Sequence, residues 1–161
     1  SSWRLENRSS RLITCMNASI VCSGALFYTL NTNRFLFLHR SGGRKSDVWG
    51  LVGGTNEGTE TPWEGLKREI VEEIGDVTKI KKTLPLESFL SNDKKFLFHT
   101  YLCVVQDEFI PQLNKEHDGY AWCSFTKWPK PLHHGLRNTL QSKINLSKLE
   151  TVFQTINLLD S

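Results

Sequence analysis

The sequence predicts an α+β domain in which a mixed β-sheet packs between helices. Three observations predict it. Runs of β-branched and aromatic residues recur over residues 18–40 and 84–125, a sharply punctuated helix interrupts them near residue 62, and the chain ends in two stretches with helical spacing. Strands, a helix, more strands and a helical end suit a layered fold, because each apolar sheet face needs a partner to bury it.

Residues 18–30 read as a strand, residues 31–33 (Asn-Thr-Asn) as a turn, and residues 34–40, with Phe35 and Phe37 alternating against other types, as a second strand in a hairpin with the first. Residues 41–47 form a glycine-rich basic loop, and residues 48–52 a short strand that ends at Gly53-Gly54. The helix over 62–74 is marked at both ends. Thr61 can cap it, Pro62 suits the first position where no donor is needed, and Glu64 completes a capping box with Thr61. Gly75 suits the stop, where a left-handed backbone is easy for glycine. Residues 84–90 and 95–105 read as strands around a turn at 91–93, residues 108–118 as a polar loop and residues 120–125 as a short strand. Pro129 and Pro131 break the chain. Residues 136–144 and 146–159 are helical, with Leu149, Val152, Phe153 and Ile156 on one face.

The chain has 161 residues and a formal net charge of +3, part of it from Arg4, Arg8 and Arg11. The remainder is nearly neutral, so a long nucleic acid is not an expected partner, while a small anionic substrate needs only a few placed cations. No apolar run approaches the ~18 residues of a membrane span, so no membrane partner is expected. The four cysteines, Cys15, Cys22, Cys103 and Cys123, show no CxxC spacing and read as free thiols in a reducing compartment, the cytoplasm. Residues 1–16 are polar and lack the apolar core of a secretory signal. They are expected to be a disordered or appended leader before one domain over 17–161.

The chemistry sits on the helix. Residues three and four apart share a helix face, so Glu69, Glu72 and Glu73 point the same way, while Trp63, Leu66, Ile70 and Ile74 have the complementary apolar spacing. Like charges so placed either face water or surround a cation, and hard oxygen ligands favour Mg2+ or Mn2+. A solvated acidic face would explain three glutamates alone. It gives no reason for Gly54, Glu60, Arg68 and Gly75 to keep their spacing.

With those residues the segment resembles the Nudix box, whose pattern Gly54, Glu60, Arg68, Glu69, Ile70, Glu72, Glu73 and Gly75 fill in order. Asp76 departs from the final aliphatic position, with Val77 next, and Val52 stands where many members carry a proline before the two glycines. The strand order extends the resemblance over about residues 18–125. It implies a Nudix-type α-β-α sandwich around a mixed sheet, with the Nudix helix at about 62–74, and a Mg2+- or Mn2+-dependent pyrophosphohydrolase. Such an enzyme cleaves a phosphoanhydride bond in a nucleoside diphosphate linked to a further group.

The resemblance also implies roles. Glu72 and Glu73 would be metal ligands, with Glu69 and the Gly53 carbonyl completing the set, and Arg68 would hold Glu69 or Glu72. Glu60 would support the loop or Arg68. A late-loop carboxylate, Glu116 or alternatively Asp118, would serve as a ligand or general base, with Glu69 as the alternative base, and His117 is a further base to consider. Read from the residues, Arg40, Arg44 and Lys45 could meet phosphate, and Trp49, Phe96 and Tyr120 could stack a base. Alternation favours a core position for Phe98. His133 and His134, being adjacent, point apart and make no metal site.

A nucleoside triphosphate or dinucleoside polyphosphate is the expected substrate. The stretch from Glu116 to Trp122 is similar to one in the RNA 5′-pyrophosphohydrolase and dinucleoside polyphosphate branch, so a 5′ end of RNA stays open. ADP-ribose or NADH hydrolysis is a further alternative, although Pro85 lies too near the box for the proline arrangement of ADP-ribose hydrolases. A nucleotide-binding module without turnover is another class, and assembly through the C-terminal helices a third. Monomer and homodimer both remain open.

Overall fold

A computed structural model describes residues 18–43, 46–76 and 79–160. The leader, Arg44, Lys45 and Val77 lie outside the described residues. Among the described residues, seven strands form one sheet: β1 (Ile20–Thr29), β2 (Arg34–Arg40), β3 (Val48–Gly50), β4 (Val52–Thr55), β5 (Lys82–Leu90), β6 (Phe96–Val105) and β7 (His117–Ser124). Helix α1 (Pro62–Ile74) follows β4, and α2 (His134–Gln141) and α3 (Lys143–Asp160) follow β7. None of these helices is long and apolar enough to cross a membrane.

The sheet is mixed. β1 runs parallel to β6 along its whole length, from Ile20 beside Phe96 to Thr29 beside Val105. β6 is antiparallel to β5, and β2 to β7. The expected hairpin of β1 and β2 exists, but the two strands pair only at Tyr28 and Phe35 and then part. The gap is filled from both sides. β4 pairs with β1, Gly24 beside Gly53, and β3 pairs with β2, His39 beside Trp49. The segment read as one strand over 48–52 is therefore two, divided at Leu51, because one straight strand cannot follow two diverging neighbours. Gly53 and Gly54 lie within β4 rather than after it.

Alternation sorts the apolar side chains onto two faces. Leu26, Tyr28, Phe35, Phe37, Leu102 and Val104 pack with Leu136 and Leu140 of α2 and Leu149 and Ile156 of α3. Val152 and Phe153 join this cluster, as their spacing predicts. Ala25, Phe27, Leu36, Leu38, Val52 and Cys103 face the other way and meet Leu66, Ile70 and Ile74 of α1, with Trp63 at the margin. The result is the predicted α-β-α sandwich. Burying a leucine contributes about 1.5–3 kcal/mol, so the apolar stripe of α1 fixes how the helix sits on the sheet.

That orientation can be checked by urea unfolding. Leu66, fully buried, should cost about 2–5 kcal/mol on Leu66→Ala. Val71, 57% exposed on the opposite face, should change stability by less than about 0.5 kcal/mol on Val71→Ala. Equal losses would contradict this seating of the helix.

Candidate active site

The ends of α1 are held as their residues predict. Glu64 N donates to Thr61 Oγ1 at 3.2 Å, and Thr61 N donates to Glu64 Oε2 at 3.2 Å. At the other end Gly75 takes a φ of 83°, and its N–H reaches Val71 O. The helix so delimited lies against β4 at close range. A Cβ on Gly53 would stand 2.1 Å from Ser23 O, and one on Gly54 would stand 2.5 Å from the Glu69 carboxyl carbon. At Gly53 the clash is with backbone, so that position cannot carry a side chain while β1 and β4 stay this close, whereas a side chain at Gly54 would displace the Glu69 carboxylate.

The three glutamates share a side of the helix but not an environment. Glu73 is only 4% exposed, and its Oε2 accepts from Gly53 N at 3.3 Å. The Glu69 side chain is 16% exposed and that of Glu72 55%. Burial pushes the Glu73 carboxyl up to about 8, and the charges of Glu69 and Glu116 add to the rise, while the Gly53 N–H and Arg40 oppose it. Burial also raises Glu69, against the pull of Arg68. This is not a solvated acidic face.

Arg68 ties the cluster to the loop before the helix. It bonds Glu60 through both Nε and Nη2, at 2.9 and 3.1 Å, and Nη2 also donates to Thr55 O at 3.0 Å. Its Nη1 reaches Glu69 at 3.1 Å and Glu72 at 3.2 Å. The bond to Glu60 contributes most to raising the Arg68 pKa and holds the Glu60 carboxyl low. Arg68 thus contacts both glutamates that the resemblance offered it.

The late loop separates its acids. The charge of Glu116 is felt at both Glu69 and Glu73, which brings this residue to the cluster. Asp118 is turned elsewhere. A bulge interrupts the β2–β7 register between His39 and Arg40, and Asp118 Oδ1 lies 2.5 Å from His39 Nδ1. The other ring nitrogen of His39 meets Asp47 at 3.0 Å. The bond to Asp118 raises the His39 pKa, with Asp47 adding and burial opposing. His117 is buried, and burial lowers its pKa. Asn114 binds the loop to the helix: its Nδ2 donates to Glu72 O at 3.5 Å and its Oδ1 accepts from Glu116 N at 3.1 Å. The sequence reading missed His39 and Asn114. The bonds of His39 are set by strand pairing, which no short motif records, and Asn114 carried only its place in a polar loop two residues before Glu116.

Of the expected substrate contacts, Arg40 comes to the cluster. Its charge acts on Glu73, and its Nε is buried without a hydrogen-bond partner among the described residues. Trp49 instead packs on His39, ring centroids 4.9 Å apart. Tyr120 is 39% exposed and pairs in register with Leu38. Trp122 is structural: its Nε1 donates to Phe109 O at 3.2 Å. On the sheet face opposite α1, a cavity of about 370 Å3 is lined by Leu51, Phe89, Phe96, Phe98, His133 and other residues. Phe98 is half-buried in this wall rather than in the core, because Gly24 leaves room for its ring.

Oxygen donors alone make up the cluster, which suits a hard divalent cation. A buried Glu73 beside two further carboxylates is the environment such a charge would relieve. In the geometry described, Arg68 draws Glu69 and Glu72, and no three of these carboxylates converge on one point among the described residues. The donor chemistry fits a cation, and converging on it requires Glu69 and Glu72 to turn from Arg68.

Fold and site together define a sheet-and-helix hydrolase with a carboxylate-lined centre. The chain belongs to the Nudix family: the NUDIX domain model matches residues 22–142. It is a Nudix hydrolase, and hydrolases of this family in general need divalent metal ions. It is 32% identical over 117 residues to the dihydroneopterin triphosphate diphosphatase of Haemophilus influenzae, a match spanning 63% of this chain and 72% of that protein. The fold resembles that of a MutT NUDIX hydrolase from Burkholderia pseudomallei (TM-score 0.58, 22% identity, 77% of this chain and 97% of that one). It also resembles that of an Ap4A hydrolase from C. elegans (TM-score 0.63, 19% identity, 83% and 98%). At such identities these likenesses concern the fold alone.

The raised Glu73 pKa has a sign that can be tested. An ordinary glutamate titrates near 4.5, whereas here it titrates near 8, so between those values the folded chain holds more protons than the unfolded one. In EDTA, this contribution to stability is present below about pH 4.5 and is lost as the pH rises through about 8. Melting temperatures of the parent chain should fall relative to Glu73→Gln from about pH 5 to about pH 8.5, and Mn2+ should recover the loss in the parent only. Parallel curves would show that Glu73 is not held protonated.

Proposed function

We propose that the chain is a divalent-metal-dependent pyrophosphohydrolase that cuts a phosphoanhydride bond of a nucleoside triphosphate, with dinucleoside polyphosphates as substrates of the same chemistry. The observation that carries this reading is the burial of Glu73 where the charges of Glu69, Glu116 and Arg40 all act on it. Glu69, Glu72, Glu73 and the Gly53 carbonyl would hold the cation, with Glu116 as a further ligand or the base. A cation held there supplies charge neutralisation for the phosphates and lowers the pKa of a bound water. Arg40, whose buried Nε has no hydrogen-bond partner among the described residues, donates to a phosphate oxygen. Arg68, anchored on Glu60, holds Glu69 and Glu72 beside the site until a cation draws them from it. Glu116 takes the proton of the attacking water, held near the helix by Asn114. Water adds its oxygen to one phosphorus as the bridging oxygen leaves with the other. A triphosphate so cut yields a nucleoside monophosphate and pyrophosphate.

The aromatic cavity behind Leu51 is the proposed seat of the ring. Leu51 lines it, and Gly53 follows two residues later in β4, so the ring pocket and the carboxylates meet across one short strand. A pterin triphosphate is the second reading, favoured by the 32% identity to the dihydroneopterin triphosphate diphosphatase of Haemophilus influenzae. The free thiols of Cys22, Cys103 and Cys123 support a place in the reducing cytoplasm.

The test is a substrate panel with Mg2+, Mn2+ or EDTA, with products separated by chromatography. Turnover of a triphosphate to monophosphate and pyrophosphate is expected only with the cation. It should vanish in Glu73→Gln and fall about 100-fold or more in Glu116→Gln. Undiminished turnover in EDTA, or in Glu73→Gln, would contradict the assignment.

A further inference from the structure

The ring pocket contains a carboxylate that alternation would have turned to solvent. Leu84 and Leu86 pack on the α2–α3 face, so residue 87 should point away. Instead, a bulge breaks the β5–β6 register between Pro85 and Glu87. Leu86 is left without a partner, Glu87 comes opposite Thr100, and Phe89 comes opposite Phe98. Leu86 and Glu87 therefore share a side, as bulges allow, and Glu87 lines the cavity with Phe89, Phe96 and Phe98.

The carboxylate is held from behind. Thr139 Oγ1 donates to Oε1 at 2.9 Å, and Asn145 Nδ2 donates to Oε2. Thr139 is 8% exposed and Asn145 2%, and Asn145 Nδ2 also donates to Thr139 O at 3.1 Å. Each carboxylate oxygen keeps a second acceptor site. Among the described residues no lysine or arginine lines the cavity.

We propose that Glu87 selects rings that carry an N–H beside an amino group, the 2-amino-4-oxo edge shared by guanine and pterin. A carboxylate accepts two parallel N–H bonds from that edge, and bonds to a charged acceptor are the stronger kind. Adenine and cytosine place a donor beside an acceptor, and uracil places one N–H between two carbonyls. Each therefore sets a lone pair against the carboxylate. This selection rests on the cavity being the ring pocket of the proposed reaction.

The test measures kcat/KM for GTP, ITP, ATP, CTP, UTP and dihydroneopterin triphosphate on the whole chain with Mg2+ or Mn2+. GTP or the pterin triphosphate should lead ATP by about 10-fold or more, and ITP, which lacks only the 2-amino group, should fall about 10-fold below GTP. Glu87→Gln should lower GTP turnover about fivefold or more beyond any change in ATP turnover, because its amide presents a donor to the ring's donors. ITP equal to GTP in the parent chain, or an unchanged GTP-to-ATP ratio in a folded Glu87→Gln, would overturn the selection. The ITP comparison needs no variant. Turnover that favours adenine or pyrimidine would overturn this inference alone, and no turnover of any triphosphate would overturn the proposed reaction with it.

Discussion

The site depends on one close approach. β4 passes β1 at a distance that only glycine tolerates at position 53, and at position 54 glycine leaves the Glu69 carboxylate its place. That approach seats the Glu69 carboxyl against Gly54 and lets Gly53 N reach Glu73. It is made by the parting of β1 and β2 beyond the Tyr28–Phe35 pair, on the side away from the turn, which opens room for β4 on β1 and for β3 on β2. Leu66, Ile70 and Ile74 then press α1 onto the sheet, and Glu73 is carried into the interface with them. Apolar burial provides the force, and the glycines set the distance at which it stops.

Gathering carboxylates in such a place is costly, and the surroundings show how the cost is met. Arg68 pairs with Glu60, Glu69 and Glu72 on the open side, while Arg40 acts on Glu73 from β2. Without a further cation, burial keeps the Glu73 proton on up to about pH 8. A divalent ion would remove that need and bring compensating positive charge for a polyphosphate to the same point. In this way the proposed chemistry would follow from where a helix with three glutamates meets the sheet.

Much of this was legible in the sequence because it is local. The capping box of Thr61 and Glu64, the glycine stop at Gly75 and the apolar stripe of α1 each occupy one helix, and the structure has all three. The box spacing led to the family, and strand order to the mixed sheet. What the sequence concealed depends on pairing between distant segments. The division at Leu51 requires knowing that β1 and β2 diverge. Two bulges then defeat simple alternation: near His39 and Arg40 the register shifts where Asp118 turns to His39, and after Pro85 the shift brings Glu87 into the ring pocket. Phe98 was expected in the core for a related reason. It opens into the cavity beside Gly24, a neighbour supplied by the parallel pairing of β1 with β6.

The most direct measurement is anomalous diffraction from crystals soaked with Mn2+ and a non-hydrolysable nucleoside triphosphate. Manganese is expected bonded to the carboxylates of Glu69, Glu72 and Glu73, with Arg68 still on Glu60 and a phosphate oxygen at Arg40. Manganese bound only elsewhere, with Glu73 remaining on Gly53 N, would contradict the view that this buried carboxylate exists to hold a cation.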